Sequence, residues 1–130
     1  MEGLFMYQNQ EFIDMMEKNY LDKGQVINVL NIYVYGSKFL QHLDKFINKE
    51  GEREQFYGVV YSEDFEKDDD GYFGENKILF YAGDYDDIID YEDLYLYLYF
   101  TCEFYIEKHE DEKEIVQEKL LLIEEAYGIE

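Results

Sequence analysis

The chain is poor in several residue types whose absence limits what it can be. It has no proline, no tryptophan and one cysteine, Cys102, so no disulfide can form within the chain, and a reducing compartment fits best. No apolar run approaches the roughly 20 residues that span a bilayer. The first ten residues, MEGLFMYQNQ, also lack the basic and apolar regions of a signal peptide. We therefore expect a cytoplasmic protein without a membrane segment.

Positive charge is scarce as well. Eleven Lys and Arg stand against thirty-two Asp and Glu, which gives a net charge of −21. Nucleic acid is excluded as a direct ligand because binding it requires Lys and Arg to neutralise phosphates, and anionic membranes are excluded for the same reason. The remaining partners are cations, metals and basic proteins. Adaptation to high salt is another explanation of the charge.

The charge and the tyrosines are concentrated in the second part of the chain. Residues 1–50 hold seven acids and five lysines, a net charge of −2, whereas residues 51–130 carry a net charge of −19 and eleven of the fifteen tyrosines. Because 47% of the residues are hydrophobic, we expect a folded core despite this charge. The sequence predicts one domain over 1–130, with 1–50 as a helical scaffold and 51–130 as the acidic binding part.

The first part reads as helical. Residues 9–20 predict a short amphipathic helix with Asn9 as a possible N-cap and a stripe of Phe12, Ile13, Met16 and Tyr20. Residues 25–49 predict a longer helical region, with Gly36-Ser37 as a possible interruption and Gly51 as the C′ residue. The β-branched residues of 26–35 leave a strand open as the alternative.

The second part mixes strands and helices. Residues 55–61 and 77–82 predict an antiparallel hairpin with a long acidic tip, followed by a short edge strand at Ile88-Ile89. The aromatic run 91–109 predicts a buried helix capped by Asp90, since one face of it repeats at spacings of three and four: Leu94, Leu98, Cys102 and Tyr105. A last helix over 112–127, capped by Asp111, has a stripe of Ile115, Val116, Leu120, Ile123 and Tyr127. The fold class is therefore α+β, with a small antiparallel sheet packed by about four helices.

The tip 66–75 partly resembles a calcium-binding loop. Aligning Gly71 with the invariant glycine of an EF-hand places Glu66, Asp68 and Asp70 at the first, third and fifth ligand positions. The twelfth position, which requires a bidentate Glu, is Lys77, and the flanks read as strands. A cation-binding or calcium-binding protein therefore remains an alternative function rather than the first one.

We expect the acidic tip and the block 84–93 beside it to bind a protein partner. Their carboxylates suit Lys and Arg, and their aromatic rings supply contact area and a polar end. The predicted partner-binding residues are Asp64, Glu66, Asp68, Asp69, Asp70, Tyr72, Phe73, Asp84, Tyr85, Asp86, Asp87 and Tyr91. A solvated loop without a partner is the alternative for the same residues.

No residue pattern predicts catalysis, a metal site or a cofactor. His42 and His109 lie far apart in sequence and are expected at the surface, and the apolar neighbours of Cys102 indicate a packing role. With thirty-two acids, a close carboxylate pair would carry no information. The sequence therefore predicts a binding protein, not an enzyme.

Residues 86–127 resemble a known family. The pattern DDIIDYEDLYLYLYFTCEFYIEKHEDEKEIVQEKLLLIEEAY joins a short strand, an acidic helix start, an aromatic helix and an acidic last helix. It resembles CdiI-type immunity proteins of contact-dependent growth inhibition and related polymorphic toxin systems, in particular those paired with ribonuclease toxins. The resemblance implies a cytoplasmic protein that binds the C-terminal nuclease domain of a cognate toxin and blocks it. A DNA mimic that inhibits another nucleic-acid-binding protein is an alternative function, because the same negative charge would suit it.

Overall fold

The computed structural model describes residues 9–129, so residues 1–8, where no signal peptide is expected, lie outside the described part. This part folds into five α-helices and four β-strands. They are α1 Gln10–Lys18, α2 Gly24–Tyr35, α3 Phe39–Ile47, β1 Glu52–Arg53, β2 Tyr57–Tyr61, β3 Lys77–Ala82, β4 Tyr85–Asp90, α4 Tyr91–Lys108 and α5 Lys113–Ala126. Short 3-10 turns follow β2 and α4. The α+β class is confirmed.

The sheet is antiparallel with strand order β1-β2-β3-β4. The predicted hairpin is confirmed as β2 paired with β3, and the predicted edge strand extends over the whole of β4. In β3 the side chains of Ile78, Phe80 and Ala82 are buried and those between them are partly exposed, which is the alternation of a sheet with one face on the core. Helix α2 packs on β3 and β4, and α5 packs on α3 and α4.

Strand β1 was not predicted, and it is held by a side-chain cluster. Glu52 accepts from Nδ1 of His42 at 2.8–3.0 Å, and Nζ of Lys45 lies 3.6 Å from the same carboxylate. The His42 ring stacks on Tyr33 with 3.7 Å between ring centroids. The expectation of a surface His42 is therefore wrong: its ring is partly buried and links α3 to the first strand.

In the helical first part of the chain the predicted break is present, but two helix ends differ from the prediction. Asn9 caps α1, since its side chain accepts from the backbone N–H of Glu11 at 2.7 Å. Tyr20 lies outside α1 with a φ of 63° and is 92% exposed, so its place in the apolar stripe is wrong. The region 25–49 divides at Gly36, and the 26–35 segment is helix rather than strand. Helix α3 ends at Ile47 with Asn48 as its C-cap, and Lys49 rather than Gly51 takes the positive φ, 54°.

The buried aromatic helix is confirmed as α4. Asp90 caps it by accepting from the backbone N–H of Asp93 at 2.8 Å. All four residues of the predicted face are buried, and burial raises the pKa of the Cys102 thiol to about 12, as suits a packing residue.

The last helix differs from the prediction at its start. Helix α5 begins at Lys113 after a 3-10 turn, and Glu112 occupies the cap position without a side-chain cap bond, so the Asp111 cap is wrong. Ile115 is 43% exposed and does not belong to the buried stripe, whereas Val116, Leu120, Ile123 and Tyr127 do. Gly128 follows with a φ of 66°, a left-handed conformation that glycine adopts without strain.

Candidate functional site

The two acidic blocks that were expected to lie side by side are at opposite ends of the sheet. Strand β3 begins after the loop 62–76 and ends at the turn 83–84, and its six residues cover about 17 Å. Asp84, Tyr85 and Asp86 are therefore at the turn end. The predicted residues 64–73 are at the other end, where Asp90 and the first turn of α4 also lie. The expectation of one contiguous acidic surface is corrected to two.

The acidic loop 62–76 is fastened at both ends. The buried Ser62 hydroxyl accepts from the backbone N–H of Phe73 at 3.0 Å, and Glu63 Oε2 accepts from the backbone N–H of Asn76 at 3.3 Å. Between these contacts the rings of Phe65 and Phe73 meet edge to face, 6.4 Å apart. The loop is thus a folded structure that presents its carboxylates at a defined place. Exposed side chains are Asp64, Glu66, Asp68, Asp69 and Asp70; Tyr72 and Phe73 are partly buried.

Two of the predicted binding residues have roles inside the fold. Asp87 Oδ2 accepts from the backbone N–H of Gln25 at 2.8 Å, so its charge lies at the N-terminus of α2, where a carboxylate is favourable. Tyr91 is 6% exposed, and its hydroxyl donates to Glu63 Oε1 at 2.6 Å. Burial, reinforced by the Glu63 hydrogen bond, raises the pKa of Tyr91. Neither side chain leaves much surface for a partner.

A cavity of about 430 Å³ opens at the loop end of the sheet. It is lined by Lys49, Glu75, Asn76, Asp90, Tyr91, Glu92, Tyr127, Gly128 and Ile129. The ammonium of Lys49 lies 5.1 Å from the ring centroids of both Tyr91 and Tyr127, a cation–π geometry. Three carboxylates and two aromatic rings therefore already surround one cation at this place.

Two further cavities continue from it along the helices. The second, of about 500 Å³, shares Glu92, Gly128 and Ile129 with the first and adds Tyr95 and Leu96. The third, of about 370 Å³, shares Tyr95 with the second and is lined further by Tyr99, Glu103, Gln117, Leu120 and Leu121. Together the second and third form a depression along α4 and α5 that we call the α4–α5 groove.

The α4–α5 groove exposes large apolar side chains. Leu96 is 45%, Tyr99 39% and Leu121 65% exposed. Tyr95 bridges the two helices by donating to Glu124 Oε2 at 3.1 Å. Burial first, and then the Glu124 hydrogen bond, raise the pKa of Tyr95 to about 12, so the hydroxyl keeps its proton and this bond above pH 10, where a free tyrosine ionises.

The groove was missed at the level of sequence, although a signal for it exists. The aromatic run 91–109 predicts a buried helix from one face only, that of Leu94, Leu98, Cys102 and Tyr105. The positions Glu92, Leu96, Tyr99 and Glu103 nevertheless follow spacings of four, three and four, which is a second helical face with charged ends. Recognising this second face would have distinguished the exposed residues of α4 from the buried ones.

The calcium alternative finds no support in the described residues. Within 9–129 no three His, Cys, Asp or Glu side chains come together in a way that could hold a metal ion.

His109 stacks on Tyr105 with 3.9 Å between ring centroids, and its Nδ1 lies 3.0 Å from the Tyr105 carbonyl oxygen. It is therefore a partly buried residue at the end of α4 rather than the free surface residue that was expected. None of the helices in this part is long and apolar enough to cross a membrane.

Comparison with known proteins gives one family. A family model described as CDI immunity protein matches residues 2–120, which is most of the chain; the match begins far before the 86–127 pattern and ends within it. No curated protein and no solved structure matches it.

Proposed function

The chain belongs to the CDI immunity protein family, and from this premise we propose that it neutralises a cognate ribonuclease toxin domain by binding it through an acidic, tyrosine-rich surface. Toxin neutralisation is the function of the family. The ribonuclease target, the basic character of the bound domain and the surface that binds it are our proposals. So are a cytoplasmic location, where the toxin would meet RNA, and the absence of catalysis by this chain.

The observation that carries the proposal is the placement of the charge. The part 51–130 holds a net charge of −19, and the carboxylates of its loop 62–76 are largely exposed on a fastened loop. A ribonuclease must present Lys and Arg to RNA phosphates. An acidic inhibitor is complementary to that surface, and such complementarity steers encounter and can raise association rates to about 10⁸–10⁹ M⁻¹s⁻¹.

The test uses the cognate toxin domain. We expect the purified domain to cleave RNA, and cleavage to fall in proportion to added chain until both are equimolar. Growth of cells that express the domain should be restored when this chain is co-expressed. A domain that binds the chain but cuts DNA or no nucleic acid would remove the ribonuclease assignment. A domain that is not bound, and against which the chain does not protect, would remove the proposed function.

A further inference from the structure

The α4–α5 groove exposes several large apolar side chains next to one another. The exposed side chains of Leu96, Tyr99 and Leu121 line this groove. Its lining residues on α4 extend from Glu92 to Glu103, a length of about 16 Å at 1.5 Å per residue. Single exposed apolar side chains are ordinary, but a contiguous patch rimmed by polar groups marks an interaction surface. The groove has this character.

The charges around the groove point to the chemistry of what binds there. Glu92 and Glu103 line its two ends, and Glu124 lies on the α5 side, where it accepts from Tyr95. The second and third cavities have no lysine or arginine among their described lining residues. In the adjoining loop-end cavity the cation is Lys49, which faces the rings of Tyr91 and Tyr127. The groove therefore presents apolar side chains between negative charges.

A second copy of this chain is a poor occupant on electrostatic grounds. Each copy carries −21, and pairing two grooves would bring the carboxylates of one copy close to those of the other. Like charges facing each other across an interface cost free energy rather than contribute it. A basic surface has the opposite effect, since its cations would meet these carboxylates while apolar side chains enter the depression.

We propose that the α4–α5 groove is the docking surface for a basic segment of the toxin domain. This inference rests on the proposed function and adds a surface that the predicted binding residues did not include. Large apolar side chains of the segment pack on Tyr95, Leu96, Tyr99 and Leu121, and flanking Lys or Arg side chains pair with Glu92, Glu103 and Glu124. The groove is continuous with the loop-end cavity, so the acidic loop attracts the domain and the groove supplies its buried contact.

Neighbouring leucines on α5 provide a matched test. Leu121 lines the groove and is 65% exposed. Leu122 is 44% exposed on the side of α5 that carries Lys119, whose Nζ binds Asp44 of α3. Leu121→Lys and Leu122→Lys make the same chemical change on one helix, and Lys has nearly the helix propensity of Leu. Circular dichroism and the urea midpoint should show both variants folded.

The affinity of each protein for the cognate toxin domain is then measured by calorimetry. We expect Leu121→Lys to weaken binding about 30-fold or more, the effect of losing a hot-spot contact, and Leu122→Lys to weaken it less than about 5-fold. Equal effects of the two changes overturn the groove assignment while the proposed function stands. No binding by the unmodified chain overturns both. Sedimentation that shows a dimer of this chain, dissociated by Leu121→Lys, would assign the groove to a second copy instead.

Discussion

The hydroxyl of Tyr91 donates a hydrogen bond of 2.6 Å to Oε1 of Glu63, which ties the first residue of α4 to the 3-10 turn that opens the acidic loop. Tyr105 makes the same kind of bond near the other end of the helix, where its hydroxyl lies 2.6 Å from Oε2 of Glu112. Both pairs join a tyrosine hydroxyl to a glutamate carboxylate, but they connect α4 to different segments of the chain. Only the Tyr91 pair holds the loop.

We therefore predict that Tyr91→Phe and Tyr105→Phe each lower the free energy of unfolding by about 1.5–3 kcal/mol, the usual loss for a hydrogen bond to a charged group. Tyr91→Phe alone should speed proteolysis within 62–76, because Glu63 then no longer holds the start of the loop to α4. Urea unfolding and limited proteolysis with mass analysis measure the two effects. Equal cleavage of the loop in both variants would mean that Tyr91 does not fasten it.

Glycine substitutions test the pairing of β1 with β2. A Cβ at Gly58 would collide with the carbonyl oxygen of Glu52 and would lie 2.5 Å from the hydroxyl of Tyr81. We expect Gly58→Ala to lower stability by about 2–3 kcal/mol, as overpacking does. At Gly24 a Cβ meets nothing within 4 Å and the residue begins α2, so Gly24→Ala should leave stability unchanged or raise it by up to about 1 kcal/mol. A stable Gly58→Ala protein would contradict the register of the two strands.

Stability should fall in alkali because of the tyrosines. Burial raises the pKa of Tyr61 and Tyr127 above the ordinary 10.0, and burial with the Glu124 hydrogen bond raises that of Tyr95 to about 12. The folded state therefore holds protons that the unfolded state releases above pH 10, so the stabilisation is complete below pH 10 and is lost as pH rises towards 12 and beyond.

The measurement is the urea midpoint from pH 8 to pH 12, followed together with tyrosinate absorbance. Ionisation of the buried tyrosines should coincide with unfolding rather than precede it. Tyr127→Phe should make the fall in stability less steep, because one proton fewer is released on unfolding. A midpoint that stays constant across this range would refute the assigned pKa directions.

Local sequence pattern predicted most of the helices and strands. The errors at Gly51 and at the candidate site have another cause, because both depend on how strands and helices pair. The Asp90 cap and the face from Leu94 to Tyr105 were read correctly because both depend on residues within a few turns of each other. Gly51 was assigned to a helix end, but a Cβ there would lie 2.7 Å from the carbonyl oxygen of Val59, so its glycine serves the approach of β2. That contact depends on the pairing of β1 with β2, which the residue pattern at the end of a helix does not specify.

The same reason governs the candidate site. The block 84–93 divides between the two ends of the sheet because β3 separates the turn from the loop, and strand pairing cannot be read from the acidic residues alone. The groove depends on α5 lying beside α4, which the stripe of α5 does not specify. Tyr91, predicted as a binding residue, is instead buried between the sheet and the last residues.

The central claim is that the acidic loop attracts the toxin domain. It can be tested by making the same change of charge in the loop and at a distant part of the surface and comparing the two variants. Asp68, Asp69 and Asp70 are exposed in the loop. Glu110 and Asp111 are exposed beyond the far end of α4, a helix of 18 residues and about 27 Å, and Asp14 is exposed on α1, whose Phe12 packs on Phe104 near the same end. Changing either set to Lys alters the net charge equally.

The decisive measurement is the association rate of the cognate toxin domain, by stopped flow, with the unmodified chain and with both triple variants at low and high salt. We predict that the loop variant associates at least about 10-fold more slowly at low salt, that the far variant stays within about 3-fold of the unmodified chain, and that high salt narrows the difference. Equal rates for the two variants, or rates independent of salt, would contradict the claim.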